Sequence, residues 1–325
     1  MTALGGRYSL LRPPPILGMA AAAWLGVALL TMLWPDRSGT DWDYTGDLAA
    51  AFGALGGVIA LTSFADLRFA CLPHLKRLGP WMLALALLLG VWETVTAKLG
   101  LLPMPFFPPP QALLEVVIDD RVRLAEGVLA SLRLLAGGYF LGAALGFAMG
   151  VAMGWSRGVG YWVHPVLRLV GPLPATAWLP LAFFVFPSSH SASTFLIALA
   201  TGFPVTVLTW SGVASVRSTY YDIARTLGAR QGFLILKVTI PAAMPHVFVG
   251  LFMGLGNSFA VLVIAEMLGV KAGLGWYLQW AQGWAAYANM YAALLIMALI
   301  FSGLISLLFR LRDRLLAWQK GLVRW

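Results

Sequence analysis

Charged side chains are scarce. Asp, Glu, Lys and Arg make up 11% of the 325 residues, against about 25% in an ordinary soluble domain. With 60% hydrophobic residues and a mean hydropathy of +0.82, this scarcity excludes a soluble globular class. It predicts an all-α, polytopic membrane protein, because a helix satisfies its own backbone in lipid. Cysteine is nearly absent: Cys71 stands alone, which excludes an intrachain disulfide and a thiolate metal cluster. The four histidines, His74, His164, His190 and His246, have no ligand spacing and read as packed or interfacial residues. No Gly-x-x-x-x-Gly-Lys-Ser/Thr occurs, so the chain lacks the loop that cradles ATP phosphates. No Ser/His/Asp constellation is visible either, and the chain is not expected to be an enzyme.

No cleavable leader is expected. Arg7 and Arg12 precede an apolar run from Ile16 to Trp34, but Met32-Leu33-Trp34-Pro35 offers no small-residue cleavage site, so the run is expected to stay as a helix. The net charge of +9 follows from basic loops on the cytosolic side of a membrane and implies no nucleic acid.

What the chain does have is apolar windows of about 20 residues, the length of a membrane span. They fall near 16–34, 47–65, 80–99, 132–154, 165–186, 193–213, 245–268 and 287–309, which predicts about eight spans. Basic residues collect in alternate loops: Arg68, Lys76 and Arg77; Arg157 and Arg168; Arg217, Arg225, Arg230 and Lys237; and Arg310, Arg312, Arg314, Lys320 and Arg324. Asp36, Asp41, Asp43, Asp47, Asp119 and Asp120 fall on the other side. This asymmetry predicts both termini in the cytoplasm. The long outer segment 100–131 contains Leu102-Pro103-Met104-Pro105-Phe106-Phe107-Pro108-Pro109-Pro110. That run cannot be helical, and is expected to lead into an amphipathic interfacial helix around Gln111–Ile118. The tail Leu307–Trp325 reads as a span end continuing into an interfacial helix.

A polar break inside the apolar C-terminal half is the most informative stretch. Tyr221-Asp222-Ile223-Ala224-Arg225-Thr226-Leu227-Gly228 is followed, nine residues on, by Val238-Thr239-Ile240-Pro241. Asp222 near a helix start would favour the dipole. Gly228 can take the positive φ that ends a helix and turns the chain. Pro241 and Pro245 can start the returning span. The expected product is a short helix along the membrane surface joined by a tight turn to a long one.

Asp222, Ile223, Ala224, Gly228, Val238, Ile240 and Pro241 keep the spacing of the cytoplasmic "EAA" loop, which the stretch resembles, in permeases of ATP-binding-cassette (ABC) importers. Further stretches resemble the nitrate/sulfonate/taurine branch: Pro172-Leu173-Pro174-Ala175-Thr176-Ala177-Trp178-Leu179-Pro180-Leu181, Ile240-Pro241-Ala242-Ala243-Met244-Pro245, and Ala265-Glu266-Met267-Leu268-Gly269 with Gly273-Leu274-Gly275. The resemblance covers about 80–325. It implies a six-helix type I importer permease core over 80–325, with 1–79 as an N-terminal extension carrying two further spans. It also implies a homodimer in the bacterial inner membrane, in contact with lipid and served by a periplasmic or lipid-anchored substrate-binding protein. ABC ATPase subunits, which bind ATP and Mg, would dock beneath a cytosolic helix at 218–237. The coupling residues by this resemblance are Asp222, Ala224, Arg225, Gly228, Ala229 and Pro241; the solute would be small and, as in the nitrate/sulfonate/taurine branch, anionic, with aromatic or pyrimidine-like molecules also open. Two rival readings are a carrier driven by an ion gradient and a non-transporting scaffold anchored through the same loop.

Polar groups inside spans mark candidate pathway positions. Thr206 and Thr209 sit beside Pro204, Asn257 and Ser258 interrupt the next span at mid-depth, and Glu266 lies near its outer end. Each could instead serve packing or pairing, Glu266 with Lys271. Glu93 is expected to pair with Lys98 or another helix. Gly250, Gly254 and Gly256 suit close helix packing, and Trp276, Trp280 and Trp284 cluster as a candidate contact for a binding protein.

Overall fold

A computed structural model describes residues 14–37, 42–64 and 72–319. Cys71, Arg68 and the last six residues lie outside them. Every regular element among the described residues is helical. The helices are α1 (Pro14–Leu33), α2 (Thr45–Phe64), α3 (Leu72–Glu93), α4 (Pro110–Asp119), α5 (Arg121–Trp155), α6 (Arg157–Val170), α7 (Leu179–Val185), α8 (Ser189–Ala214), α9 (Ser218–Thr226), α10 (Gln231–Phe233), α11 (Ile240–Leu268), α12 (Leu274–Gly283) and α13 (Tyr287–Leu315). A π-helical turn, Thr94–Lys98, extends α3, and a second, Leu234–Thr239, joins α10 to α11.

Seven of the described helical runs are long and apolar enough to cross a membrane. The predicted fifth span, 165–186, is not one straight helix. α6 and the Ala175–Val185 segment are bent by 88° at a short break. Gly171-Pro172-Leu173-Pro174 explains the break, because proline removes an amide donor and pushes its predecessor out of the helical region. Counting the pair as one broken crossing gives eight. Other spans outgrow their apolar windows: α5 starts at Arg121, and the run ending in α11 starts at Gln231. The segment expected as an interfacial helix forms α4, and α13 carries Arg310, Arg312 and Arg314 within one helix to Leu315.

The chain divides into two compact units. One comprises Met1–Arg121 with Trp284–Ala292. In it α1 packs on α2 and α3 through Leu17, Ala20, Trp24, Val27, Phe52, Ile59 and Ala86. The Trp24 indole donates to the Met82 carbonyl at 3.1 Å, so its own N–H is not stranded in the apolar core. Below it lies a buried polar hub. Lys98 donates to the carbonyls of Thr31 (3.0 Å) and Trp34 (2.6 Å) and to Asp36 (2.7 Å). Its ammonium lies 3.5 Å from Glu93, as expected of that pair. Glu93 also accepts from Gln111 of α4 at 2.6 Å.

The other unit comprises Val122–Gly283 with Ala293–Trp325, and α8 is its axis. On one side Gly138, Gly142, Gly146, Gly150 and Gly154 form a stripe along α5 at every fourth residue and meet α8 directly. A Cβ added at Gly146 would stand 2.6 Å from the Gly202 carbonyl. On the other side Gly250 of α11 faces Val205 and Gly254 faces Thr201. Small residues let backbones approach where lipid supplies no hydrophobic drive between helices. Gly256 does not share this role; nothing lies within 4 Å of its would-be side chain. Phe252 stacks on Phe309 and Phe259 on Phe301, joining α11 to α13.

Candidate functional site

Both candidate sites belong to the unit built around α8. The first is the polar break. Arg217 is extended and α9 begins at Ser218. Asp222 therefore sits in the middle of the helix, not at its start, and the expected dipole contact is absent. Its carboxylate instead lies 4.0 Å from Arg225, with both side chains largely exposed, a geometry of little energetic weight.

The end of α9 is built as expected. Gly228 has φ +82°. Its amide donates to the Arg225 carbonyl at 2.9 Å, and Ala229 N–H reaches back to Ala224 O at 3.0 Å. These two bonds are those of a Schellman turn, which satisfies carbonyls that a helix end would otherwise strand. Tyr220, Ile223 and Leu227 repeat at helical spacing along one face and are exposed, Leu227 at 83%. With Ala224, Gly228, Ala229, Gly232 and Phe233, and with Arg230 as the one charged residue, they bound a mostly apolar recess of about 810 Å³. Of the six residues assigned to coupling, Ala224, Gly228 and Ala229 line this recess. Asp222 and Arg225 are exposed outside it; Pro241 and Pro245 do not start the returning span, because both lie inside the helical run that begins at Gln231. The stripe Tyr220–Ile223–Leu227 escaped the sequence reading, although its three- and four-residue spacing was the available signal.

The second site is a cavity of about 460 Å³ where the broken crossing meets α8 and α11. Pro174, Thr176, Phe203, Pro204, Asn257 and Ile264 contribute to its wall, and no charged side chain is among its described lining. Asn257 is exposed there. The other candidate pathway residues lie elsewhere. Thr206 donates to the Gly202 carbonyl of its own helix at 2.7 Å. Ser258 does the same to Leu255 at 2.9 Å. Thr209 is fully buried against Gly150. Glu266 is buried and holds the first turn of α12: its carboxylate accepts from Gly275 N–H at 2.8 Å. Ser131 stands beside it and accepts from Leu274 N–H at 2.9 Å. Gly273, at φ +103°, packs against that carboxylate, and no ion pair with Lys271 is seen among the described residues. Thr176 and Phe203 were missed as wall residues; their exposure to the cavity follows from the bend at Pro172 and Pro174. Trp276 and Trp280 lie on α12, with the Arg123 guanidinium 5.2 Å from the Trp280 ring centre. Trp284 falls in the other unit.

Apolar spans around a glycine-packed axis, a broken crossing beside a cavity, and a polar helix–turn–helix between two spans together define a membrane transport subunit. Residues 142–320 match the family described as binding-protein-dependent transport system inner membrane component, and the chain belongs to that family. Nitrate import permease protein NrtB of Synechococcus elongatus is 29% identical over 260 residues, covering 77% of this chain and 91% of that protein. Taurine transport system permease protein TauC of Escherichia coli is 34% identical over 242 residues, covering 72% and 88%. Putative aliphatic sulfonates transport permease protein SsuC of Bacillus subtilis is 29% identical over 257 residues, covering 77% and 91%. Among solved structures, a chain of the MetNI methionine ABC transporter in inward-facing form superposes with a TM-score of 0.52. It matches 60% of this chain and 97% of that one at 15% identity, a likeness of fold. The chain is thus an ABC importer permease, a multi-pass inner-membrane transport subunit rather than an enzyme, and its family implies an ATPase and a substrate-binding protein as partners.

Proposed function

We propose that two copies of this chain form the solute path of an ATP-driven importer, with an ATPase seated in the recess beside α9. The observation that carries the reading is the exposed apolar stripe Tyr220–Ile223–Leu227 on a helix closed by a Gly228 turn. Such a rigid element can transmit closure of a bound partner as rigid-body motion. Asp222, Ala224, Arg225, Gly228, Ala229 and Pro241 form the coupling segment in this reading, with Asp222 and Arg225 at its polar rim. Basic loops support placing both termini in the cytoplasm. The extent of the matches to curated relatives supports treating 1–79 as an extension to a permease domain over 80–325.

The cavity at the broken crossing is the solute path in this account, and Asn257 is its polar contact. Asn257 and Ala260 are exposed there, as suits half of a path that a second copy completes. Thr206, Thr209, Ser258 and Glu266 then serve the frame of the path, and lipid covers the outward apolar faces. The names of the relatives support a small anionic or zwitterionic solute. A wall of neutral groups favours passage over capture, since transport needs binding weak enough to release.

Purification from native membranes tests the reading. A stoichiometric ATPase should co-elute with the unaltered chain and be lost from Gly228→Val, whose β-branched side chain resists positive φ. An ATPase retained in full by Gly228→Val, or absent from the unaltered chain, overturns the assignment.

A further inference from the structure

Most of α9 is exposed, but beside the stripe one half-buried side chain, Tyr221, reaches the ends of two spans. Tyr221 points away from the recess. Its ring meets Trp155, the last residue of α5, edge to face at 5.9 Å between centres. Its hydroxyl is hydrogen-bonded to the Thr239 hydroxyl at 3.2 Å. Thr239 is fully buried at the end of the π-helical turn below α11, and its hydroxyl also reaches the Leu234 carbonyl at 3.0 Å. The contacts differ in kind: a directional bond to the foot of α11 and an apolar edge on the end of α5. Both spans then lead to α8, α5 through its glycine stripe and α11 through Gly250 and Gly254. Close-packed helices move as bodies, because their interiors do not deform continuously.

We propose that Tyr221 is the positioning residue that converts seating of a partner on α9 into displacement of α5 and α11, with Thr239 as its hydroxyl partner. This inference rests on the coupling role proposed above for α9. It assigns to Tyr221 the link between docking and the path, separate from docking itself. The exposed stripe binds the partner; Tyr221 passes the movement on. Single π-helical turns within helices are frequent at functional sites, and Leu234–Thr239 supplies one at the point of attachment.

The test uses the complex purified with its co-eluting ATPase, in a Cys71→Ser background carrying Ala260→Cys in the cavity wall. A thiol-reactive maleimide reports access to that position with and without ATP, so no solute is required. In the parent complex ATP should change the labelling rate several-fold. Tyr221→Phe and Thr239→Val each remove one hydroxyl and little volume. Each should bring the ATP-dependent ratio close to 1 while the ATPase still co-elutes, and the double variant should be no worse than either single one. A ratio that stays at the parental value in both variants overturns the proposal and leaves the docking role of α9 standing. Loss of the ATPase from Tyr221→Phe also overturns it, by making Tyr221 a docking contact. A parent complex with no ATPase, or none of whose labelling responds to ATP, overturns the coupling reading and this inference together.

Discussion

The unit of Val122–Gly283 and Ala293–Trp325 is held by what its helices omit. Glycines at every fourth position of α5, and two more on α11, let three backbones meet with little between them. The unit of Met1–Arg121 and Trp284–Ala292 is held by what its helices bury. There one ammonium, Lys98, gathers two carbonyls and two carboxylates contributed by residues from Thr31 to Glu93. The first device is rigid because there is no room to shift. The second is rigid because any shift strands a charge. The glycine-packed unit is also the one that matches the transport family, and it contains both candidate sites. A packed axis of backbones resists deformation.

This contrast can be broken at its polar end first. Lys98→Met leaves Glu93 and Asp36 without their shared cation, and removal of one partner of a buried pair costs about 3–5 kcal/mol. A large fall in the thermal midpoint of the detergent-purified protein is expected. An unchanged midpoint would show that the hub is dispensable. At the other end, Gly146→Val places a branched side chain against the Gly202 backbone, which cannot yield as a side-chain tip can. Overpacking of this kind costs about 1–3 kcal/mol. The paired control is Gly256→Ala on α11, where the space is open; its midpoint should hold or rise slightly. Equal losses at Gly146 and Gly256 would remove the distinction between packed and free glycines.

Gly228 sharpens the comparison because its need is local. Its would-be side chain meets nothing within 4 Å, yet φ is +82°. Gly228→Val is therefore expected to cost about 1–2 kcal/mol of turn strain and a much larger share of partner binding. Gly228→Asn, which tolerates a left-handed backbone better, should recover most of that binding. The smallest effect belongs to the outer acidic edge of the first unit. Glu115 on α4 has its pKa raised, first by burial and then by Asp43 and Asp119. A raised folded-state value means that the folded chain binds the proton more tightly, so stability falls as pH rises through the window above the ordinary carboxylate value. Glu115→Gln should remove that small slope, and melting curves from pH 4 to 7 would register it.

Much of this was legible in the sequence, for physical reasons that differ by element. Apolar windows announced the spans because a bilayer imposes length and composition directly. Gly228 was legible because few residues accept a positive φ, and spacing to Pro241 placed it between spans. The break at Pro172 and Pro174 was present as proline chemistry but hidden by the apolar run around it. The stripe from Gly138 to Gly154 was equally open to inspection, and its period of four is a helical face. Lys98 with Asp36 was not readable, because 62 residues separate the pair and only the packing of α1 on α3 brings them together. The partner of Glu266 was hidden for a related reason: only the turn at Gly273 brings the Gly275 amide back to its carboxylate. Asp222 was placed at a helix start because the beginning of α9 at Ser218 carries no strong capping residue.

In the function proposed for this chain, the stripe on α9 seats an ATPase. A photo-crosslinking amino acid placed at Ile223, and for comparison at the exposed Phe140 of α5, tests it in native membranes. A covalent adduct with a nucleotide-binding ATPase subunit is expected from Ile223 and none from Phe140. An Ile223 probe that captures no such subunit, while the protein remains folded in the membrane, would contradict it.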